Sequence, residues 1–222
     1  MRTLNELLSA FQDSTSSDLH LTESEPPYIR VNGDLFHLEG FEPFSDSDMV
    51  RMTEELVGPD NFNRFNAENE LDMAIEFKGD RMRVNIYRQQ KKIAWALRLL
   101  PSRFFPLDKL GLPPSITGMA CTLQKGLVLV TGATGSGKTT TLASIINEIN
   151  KTRNCHIFTI EDPVEYRHAN RKAFVSQREV GTDTASFEEA LRRVLREDPD
   201  VVLIGEMRDQ TTMRAALTLA ET

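Results

Sequence analysis

The chain is short of the residues that staple or solder a fold, with only two cysteines, Cys121 and Cys155, among its 222 residues. They stand far apart, with no His or Cys neighbour at metal-ligand spacing. Both therefore read as reduced, packed thiols of a reducing compartment, not as redox or metal groups. Long apolar runs are also missing. No stretch approaches the ~18 residues of a membrane-spanning helix, and the opening "MRTLNELLSAFQDS" lacks the continuous apolar core of a signal peptide. This predicts a cytoplasmic protein without an integral membrane segment. Positive charge is in deficit too: 26 Lys+Arg stand against 33 Asp+Glu, a net charge of -7. Such a balance disfavours broad attraction to nucleic acid or anionic lipid, and no nucleic acid partner is expected. Internal repeats and low-complexity tracts are absent. With 40% hydrophobic residues the chain can bury an ordinary core in one large or two small domains.

The first hundred residues alternate as an α+β unit does. Thr3 and Glu6 form a capping-box pattern ahead of Leu4, Leu7, Leu8 and Phe11 on one helical face. "SDLHL" alternates as a strand, with His20 on a strand face, and "YIRVNGDLF" reads as two strands joined at Asn32 and Gly33. Met49, Met52 and Leu56 mark a second helix, with Gly58 and Pro59 as its stop. Three strands follow, carried by Leu71, Met73, Ile75 and Phe77; by Met82, Val84 and Ile86; and by Ile93, Trp95, Leu97 and Leu99. Gly79 and Asp80 turn the first pair. A tight loop at Gln90 and Lys91 would set Met82 against Leu99, Val84 against Leu97 and Ile86 against Trp95. The same register places Arg83 opposite Arg98, a like-charge pair that is unfavourable unless solvent or an anion relieves it.

Pro101, Pro106, Pro113 and Pro114 interrupt regular structure and read as an interdomain linker over residues 101–114. It separates a domain of residues 1–100 from one of residues 115–222. Beyond it, apolar runs alternate with helical patterns: "GLVLV", a helix after Lys138, "HIFTI", a helix over 186–197, "VVLI", and a helix over 211–220. That rhythm predicts an α/β domain with a parallel sheet.

Within it, Gly132, Gly135, Gly137, Lys138 and Thr139 satisfy G-x-x-x-x-G-K-[ST]. Such glycines let successive backbone N–H groups converge on a phosphate. The predicted cradle is Gly132, Ala133, Thr134, Gly135, Ser136, Gly137, Lys138, Thr139 and Thr140. Lys138 supplies charge to the β and γ phosphates, Thr139 a hydroxyl for Mg²⁺, and the following helix its positive N-terminal end. Residues 128–130 are the expected strand before the loop, and Leu142, Ile145, Ile146 and Ile149 the amphipathic face of the helix after it. Hydrolysis also needs a group that orients and deprotonates water. "VVLIGE" carries Glu206 and "HIFTIED" carries Glu161 to the carboxyl edge of the sheet, where open α/β sheets bind ligands. Glu206 is the expected base. Glu161, with Thr139 and water, is the expected organiser of Mg²⁺, since Gly205 stands where such sheets can carry an Asp.

Taken together, "GATGSGKTTT", "IEDPVEY" and "LRRVLREDPDVVLIGEMRD" running into "TMRAALTLAET" resemble the Walker A, Asp box and Walker B regions of the secretion-superfamily ATPases. "SDLHL", "PPYIRVNGDL" and "QREVGTDTASFEEAL" most resemble the branch that drives type IV pilus retraction in twitching motility. The resemblance covers almost the whole chain. It implies a PAS-like N-terminal domain, a RecA-like P-loop ATPase domain, ATP and Mg²⁺ as cofactors, and a homohexamer at the cytoplasmic face of the inner membrane acting on a pilus platform protein. It also implies that Arg83 and Arg98 reach the nucleotide phosphates. Family members continue past "AET", so an incomplete sheet and missing subunit contacts are expected for these residues. Three alternatives stay open: an assembly ATPase of pili or type II secretion, a RecA-like DNA motor, and a non-catalytic nucleotide-binding regulator.

Overall fold

The computed structural model describes residues 3–133 and 135–221. They divide into two compact units, residues 1–100 and 101–222.

The first unit opens with α1 (Leu4–Asp13), where the Glu6 N–H donates to Thr3 Oγ1 (3.2 Å) and the Thr3 N–H to Glu6 Oε2 (2.7 Å). These bonds satisfy donors that the first helical turn leaves without intrahelical partners. β1 (Asp18–Thr22), β2 (Tyr28–Val31), β3 (Asp34–His37), α2 (Asp46–Val57), α3 (Pro59–Glu68), β4 (Glu70–Phe77), β5 (Asp80–Gln89) and β6 (Lys92–Leu99) follow. The six strands form one antiparallel sheet in the order β3-β2-β1-β6-β5-β4. Hairpins β2–β3 and β5–β6 turn on residue pairs in the left-handed region: Asn32 (φ 52°) with Gly33 (φ 100°), and Gln90 (φ 51°) with Lys91 (φ 69°). Such two-residue turns match the twist of the strands they join. They fix the register read from alternation: Met82 faces Leu99, Val84 faces Leu97 and Ile86 faces Trp95. Those six side chains pack with Leu4, Leu7, Phe11, Met49 and Met52 in one core. Trp95, fully buried, donates its indole N–H to Thr53 Oγ1 at 3.0 Å.

One expectation is corrected here and two are refined. The β4–β5 turn consists of Lys78 (φ 49°) and Gly79 (φ 88°), while Asp80 already pairs with Phe77. Pro59 does not merely stop α2; it is the first residue of α3, where a missing N–H costs nothing and its fixed φ suits the helix. Arg83 does face Arg98, yet the pair is not left strained. Arg83 makes a two-pronged ion pair with Asp72 of β4, and Arg98 Nε donates to Asp18 Oδ1 of β1 at 2.7 Å. The relieving anions are carboxylates from the strands on either side. Burial pushes the Asp18 carboxyl up, but hydrogen bonds from Ser17 and Arg98 and the guanidinium charge outweigh it and hold the group below the usual carboxylate range.

In the second unit a 3₁₀ turn (Leu107–Lys109) leads to α4 (Pro114–Thr122), again with a proline in its first turn. α5 (Lys138–Thr152), β7 (His156–Glu161), β8 (Phe174–Glu179), α6 (Phe187–Val194), β9 (Val201–Ile204) and α7 (Gln210–Glu221) follow. The strands are parallel in the order β8-β7-β9. Central β7 is covered on both faces, as parallel strands are. Ile157 packs with Ile145, Ile146 and Ile149 of α5, while Phe158 and Ile160 pack with Ala190, Leu191 and Val194 of α6. Cys121 and Cys155 are free thiols, and burial raises the pKa of both.

The strand expected at residues 128–130 does not form among the described residues. Leu127, Val128 and Leu129 are 42%, 41% and 58% exposed and join no ladder. An apolar run becomes a strand only where an edge pairs with it. Here a groove of about 810 Å³, lined by residues 126–132 on one side and 198–207 on the other, lies between this run and β9. β8 was not read from the sequence, because "FVSQRE" is a polar edge strand without apolar alternation.

Candidate active site

The glycine-rich loop ends at Gly137 (φ 88°), and α5 begins at Lys138. Gly135 (φ 78°) and Gly137 adopt backbone that L side chains rarely take. At Gly132 the constraint is closeness: an added Cβ would come within 2.6 Å of Ser136 Oγ. A side chain there would require the Ser136 hydroxyl to turn away. Lys138 Nζ donates to the carbonyls of Gly132 (3.0 Å) and Ala133 (2.8 Å), which places the ammonium over the loop. Thr139 and Thr140 lie in the first turn of α5, and Thr140 Oγ1 is 3.4 Å from the Tyr166 hydroxyl. Thr134 lies outside the described residues. A turn of this kind ahead of a 15-residue helix offers anion-binding N–H groups together with the helix dipole.

Two carboxylates reach the same edge of the parallel sheet. Glu161 is the last residue of β7 and is 7% exposed. Its Oε1 accepts from Thr159 Oγ1 (2.7 Å) and Gln177 Nε2 (3.2 Å). Burial pushes its pKa up, against these hydrogen bonds and one from the Glu165 backbone N–H. Glu206 follows β9 by two residues, and its Oε2 pairs with Arg208 Nη2 at 2.9 Å. Gly132, Lys138 and Glu206 line the one groove. At Gly205 an added Cβ would stand 3.2 Å from the Ile160 carbonyl and 3.3 Å from Glu161 Cα, a tight fit against β7.

The structure therefore gathers Gly132, Lys138, Thr139, Glu161 and Glu206 in one unit, and Arg83 with Arg98 on the sheet of the other. Sequence reasoning missed Thr159 and Gln177, the donors to Glu161, and also Glu179. Glu179 is the Cα partner of Glu161 across β7 and β8, and its Oε2 accepts from the Val164 N–H at 3.0 Å. Alternation along β7 could have found Thr159, whereas only the parallel register reveals Gln177 and Glu179. Among the described residues no group of three or more His, Cys, Asp or Glu could hold a metal ion. The donor set at the loop, a threonine hydroxyl and a strand-end carboxylate, fits a hard cation that arrives with phosphates and keeps its waters, as Mg²⁺ does.

A glycine-rich loop feeding a helix, with acidic strand ends at the carboxyl edge of a parallel sheet, is an arrangement that P-loop nucleotide-binding proteins share. Comparison with known proteins narrows this. The family model described as type II/IV secretion system protein matches residues 1–222, and the chain belongs to that family. It is 41% identical over 220 residues to the type IV pilus retraction ATPase PilT of Pseudomonas aeruginosa, covering 99% of this chain and 63% of that protein. To PilU, a type IV pilus ATPase of the same organism, it is 38% identical, covering 98% of this chain and 56% of the relative. A crystal structure of the pilus retraction motor PilT with bound ADP superposes with a TM-score of 0.94 at 41% identity. It covers 100% of this chain and 65% of that one. The α/β fold, with an antiparallel sheet in the first unit and a parallel sheet in the second, is that of the PilT structure. The chain thus spans about two thirds of the length of PilT. No helix among the described residues is long and apolar enough to cross a membrane.

Proposed function

We propose that the chain is the nucleotide-binding and hydrolysing part of a motor subunit that powers type IV pilus retraction. The observation that carries this reading is the placement of Lys138 over the phosphate loop with Glu161 and Glu206 at the adjoining sheet edge. Gly132, Ala133, Gly135, Ser136 and Gly137 turn backbone N–H groups toward the polyphosphate of ATP, and Thr140 closes the loop at the first turn of α5. Lys138 exchanges its loop carbonyls for β- and γ-phosphate oxygens. Thr139 offers its hydroxyl to Mg²⁺, and Glu161 holds one of the metal's waters. When bound, Mg²⁺ neutralises charge on the phosphates. Glu206 orients the attacking water and takes its proton as the bond between the γ phosphorus and the bridging oxygen breaks, leaving ADP and phosphate.

Arg83 and Arg98 act on the phosphates from the first unit, leaving Asp72 and Asp18 to do so. Each guanidinium–phosphate bond is worth about 1.5–3 kcal/mol. The double variant Arg83→Gln/Arg98→Gln, which keeps amide donors for both aspartates, is expected to fold normally. It should lose roughly 10²- to 10⁴-fold in ATP turnover, the sum of two such bonds. Unchanged turnover would remove the arginines from the site.

The motor is proposed to work as a homohexameric ring at the cytoplasmic face of the inner membrane with a pilus platform protein as partner; the likeness to a type IV pilus retraction ATPase supports the pilus role. Calorimetric titration with ATP and Mg²⁺, paired with turnover measured with and without DNA, tests the reading. Uptake with DNA-independent turnover is expected. Absence of uptake overturns the proposal, uptake without turnover points to a regulator, and DNA stimulation points to a recombinase-like motor.

A further inference from the structure

The amide of Gln177 has every polar position committed. Its Nε2 donates to Glu161 Oε1 (3.2 Å) and to the Tyr166 carbonyl (2.9 Å), while its Oε1 accepts the His168 N–H (2.7 Å). Donors on one atom and an acceptor on the other fix which way the amide points. Thr159, its Cα partner in the β7·β8 ladder, donates to the same Glu161 oxygen. Side chains two residues apart on a strand share a face. Thr159 and Glu161 therefore lie on the face of β7 that carries Ile157, which packs against α5, the helix of the phosphate loop. Gln177 also tethers the loop through Tyr166 and His168. Tyr166 touches Thr140 beside Thr139, and its ring stacks on Phe104 with centroids 5.5 Å apart. One polar side chain on an otherwise unremarked strand thus holds the acidic strand end and the loop that meets the first turn of α5.

We infer that Gln177 is a positioning residue for the magnesium site: it fixes Glu161 Oε1, in concert with Thr159, so that the carboxylate is held in one orientation toward a metal-bound water. The inference rests on the proposed role of Glu161. Thr159 and Gln177 act through that carboxylate and touch neither nucleotide nor metal. Partners that orient a metal-organising group are worth about 10- to 100-fold in metal affinity when removed.

The test is ATP affinity measured by calorimetry with and without Mg²⁺, the readout being the ratio of the two dissociation constants. Mn²⁺ electron paramagnetic resonance on the ATP complex supplies a spectroscopic check. Gln177→Met keeps length and volume without a donor, and Thr159→Val keeps shape in a β-branched residue that suits a strand. Both are expected to leave metal-free ATP affinity within about twofold while the metal-dependent gain falls roughly tenfold or more. A merely structural glutamine would lower both affinities together. Glu161→Gln is the control and is expected to lose at least as much of the gain. A full gain in both variants, with the gain lost in Glu161→Gln, overturns the assignment of Gln177 and leaves Glu161 in place. A full gain in Glu161→Gln overturns the reading of Glu161, and with it this inference. Should Gln177→Met fail to fold by circular dichroism, Thr159→Val decides the matter through the same oxygen.

Discussion

Lys138→Ala is expected to weaken ATP binding by roughly 30- to 3,000-fold while leaving the protein free of ligand almost as stable as before. The range follows from the cost of deleting one partner of a charge-assisted contact, about 2–5 kcal/mol. The lysine touches the carbonyls of Gly132 and Ala133, which are open to solvent and can turn to water when it is gone. Exposed substitutions of this kind move stability by about 0.5 kcal/mol or less. The two effects separate cleanly in a thermal shift experiment. Ligand at about 100 times the wild-type dissociation constant stabilises the fold by ~2.7 kcal/mol, and the same concentration adds only ~0.4 kcal/mol to a variant weakened a hundredfold. Lys138→Arg is not expected to rescue binding. A planar fork cannot replace a compact ammonium that sits between the carbonyls of Gly132 and Ala133. A ligand-induced shift of wild-type size in Lys138→Ala would place the polyphosphate elsewhere.

The contrast between Lys138 and Gln177 shows what residues alone could and could not disclose. The loop was legible because its chemistry is local: glycines, lysine and threonine at fixed offsets make one hollow whatever the rest of the chain does. Sheet register in the first unit was legible for a related reason, since Gln90 and Lys91 fix the hairpin and alternation then pairs Met82 with Leu99 and Ile86 with Trp95. Strand order was not. That β1 inserts beside β6, bringing Asp18 to Arg98, depends on packing between distant segments. The same limit hid Gln177 as a donor to Glu161, because Thr159 and Gln177 become neighbours only when β8 joins β7 in parallel. Prolines misled in a systematic way: Pro59 and Pro114 stand within the first turns of helices, where the sequence reads as interruption. The apolar run at 128–130 misled in the opposite sense. Hydrophobicity alone names a strand candidate, and pairing makes the strand.

Glu206→Gln carries the second large expectation: ATP should still bind with affinity within about threefold of wild type, and turnover should fall by roughly 10²- to 10⁴-fold. Removing the proton acceptor affects only the step in which water loses its proton, so the loss belongs to kcat and not to binding. Stability offers no competing explanation. The Glu206–Arg208 pair is open to solvent, with the arginine side chain 82% exposed and the glutamate 37%. Such pairs contribute about 0–1 kcal/mol, and glutamine keeps a carbonyl oxygen for Arg208. Glu206→Asp adds a sharper condition. It retains the carboxylate but draws it back by one methylene, and displacement of a reacting group by about 1 Å costs on the order of a hundredfold. Single-turnover measurements on preformed complexes with ATP and Mg²⁺ separate chemistry from product release for both variants. If glutamine leaves the chemical step intact, the base must be sought at the other strand end, where Glu161 already has one oxygen bound by Thr159 and Gln177. A carboxylate so restrained suits the holding of a metal-bound water better than the taking of a proton, and for that reason the half-buried glutamate after β9 is proposed as the base.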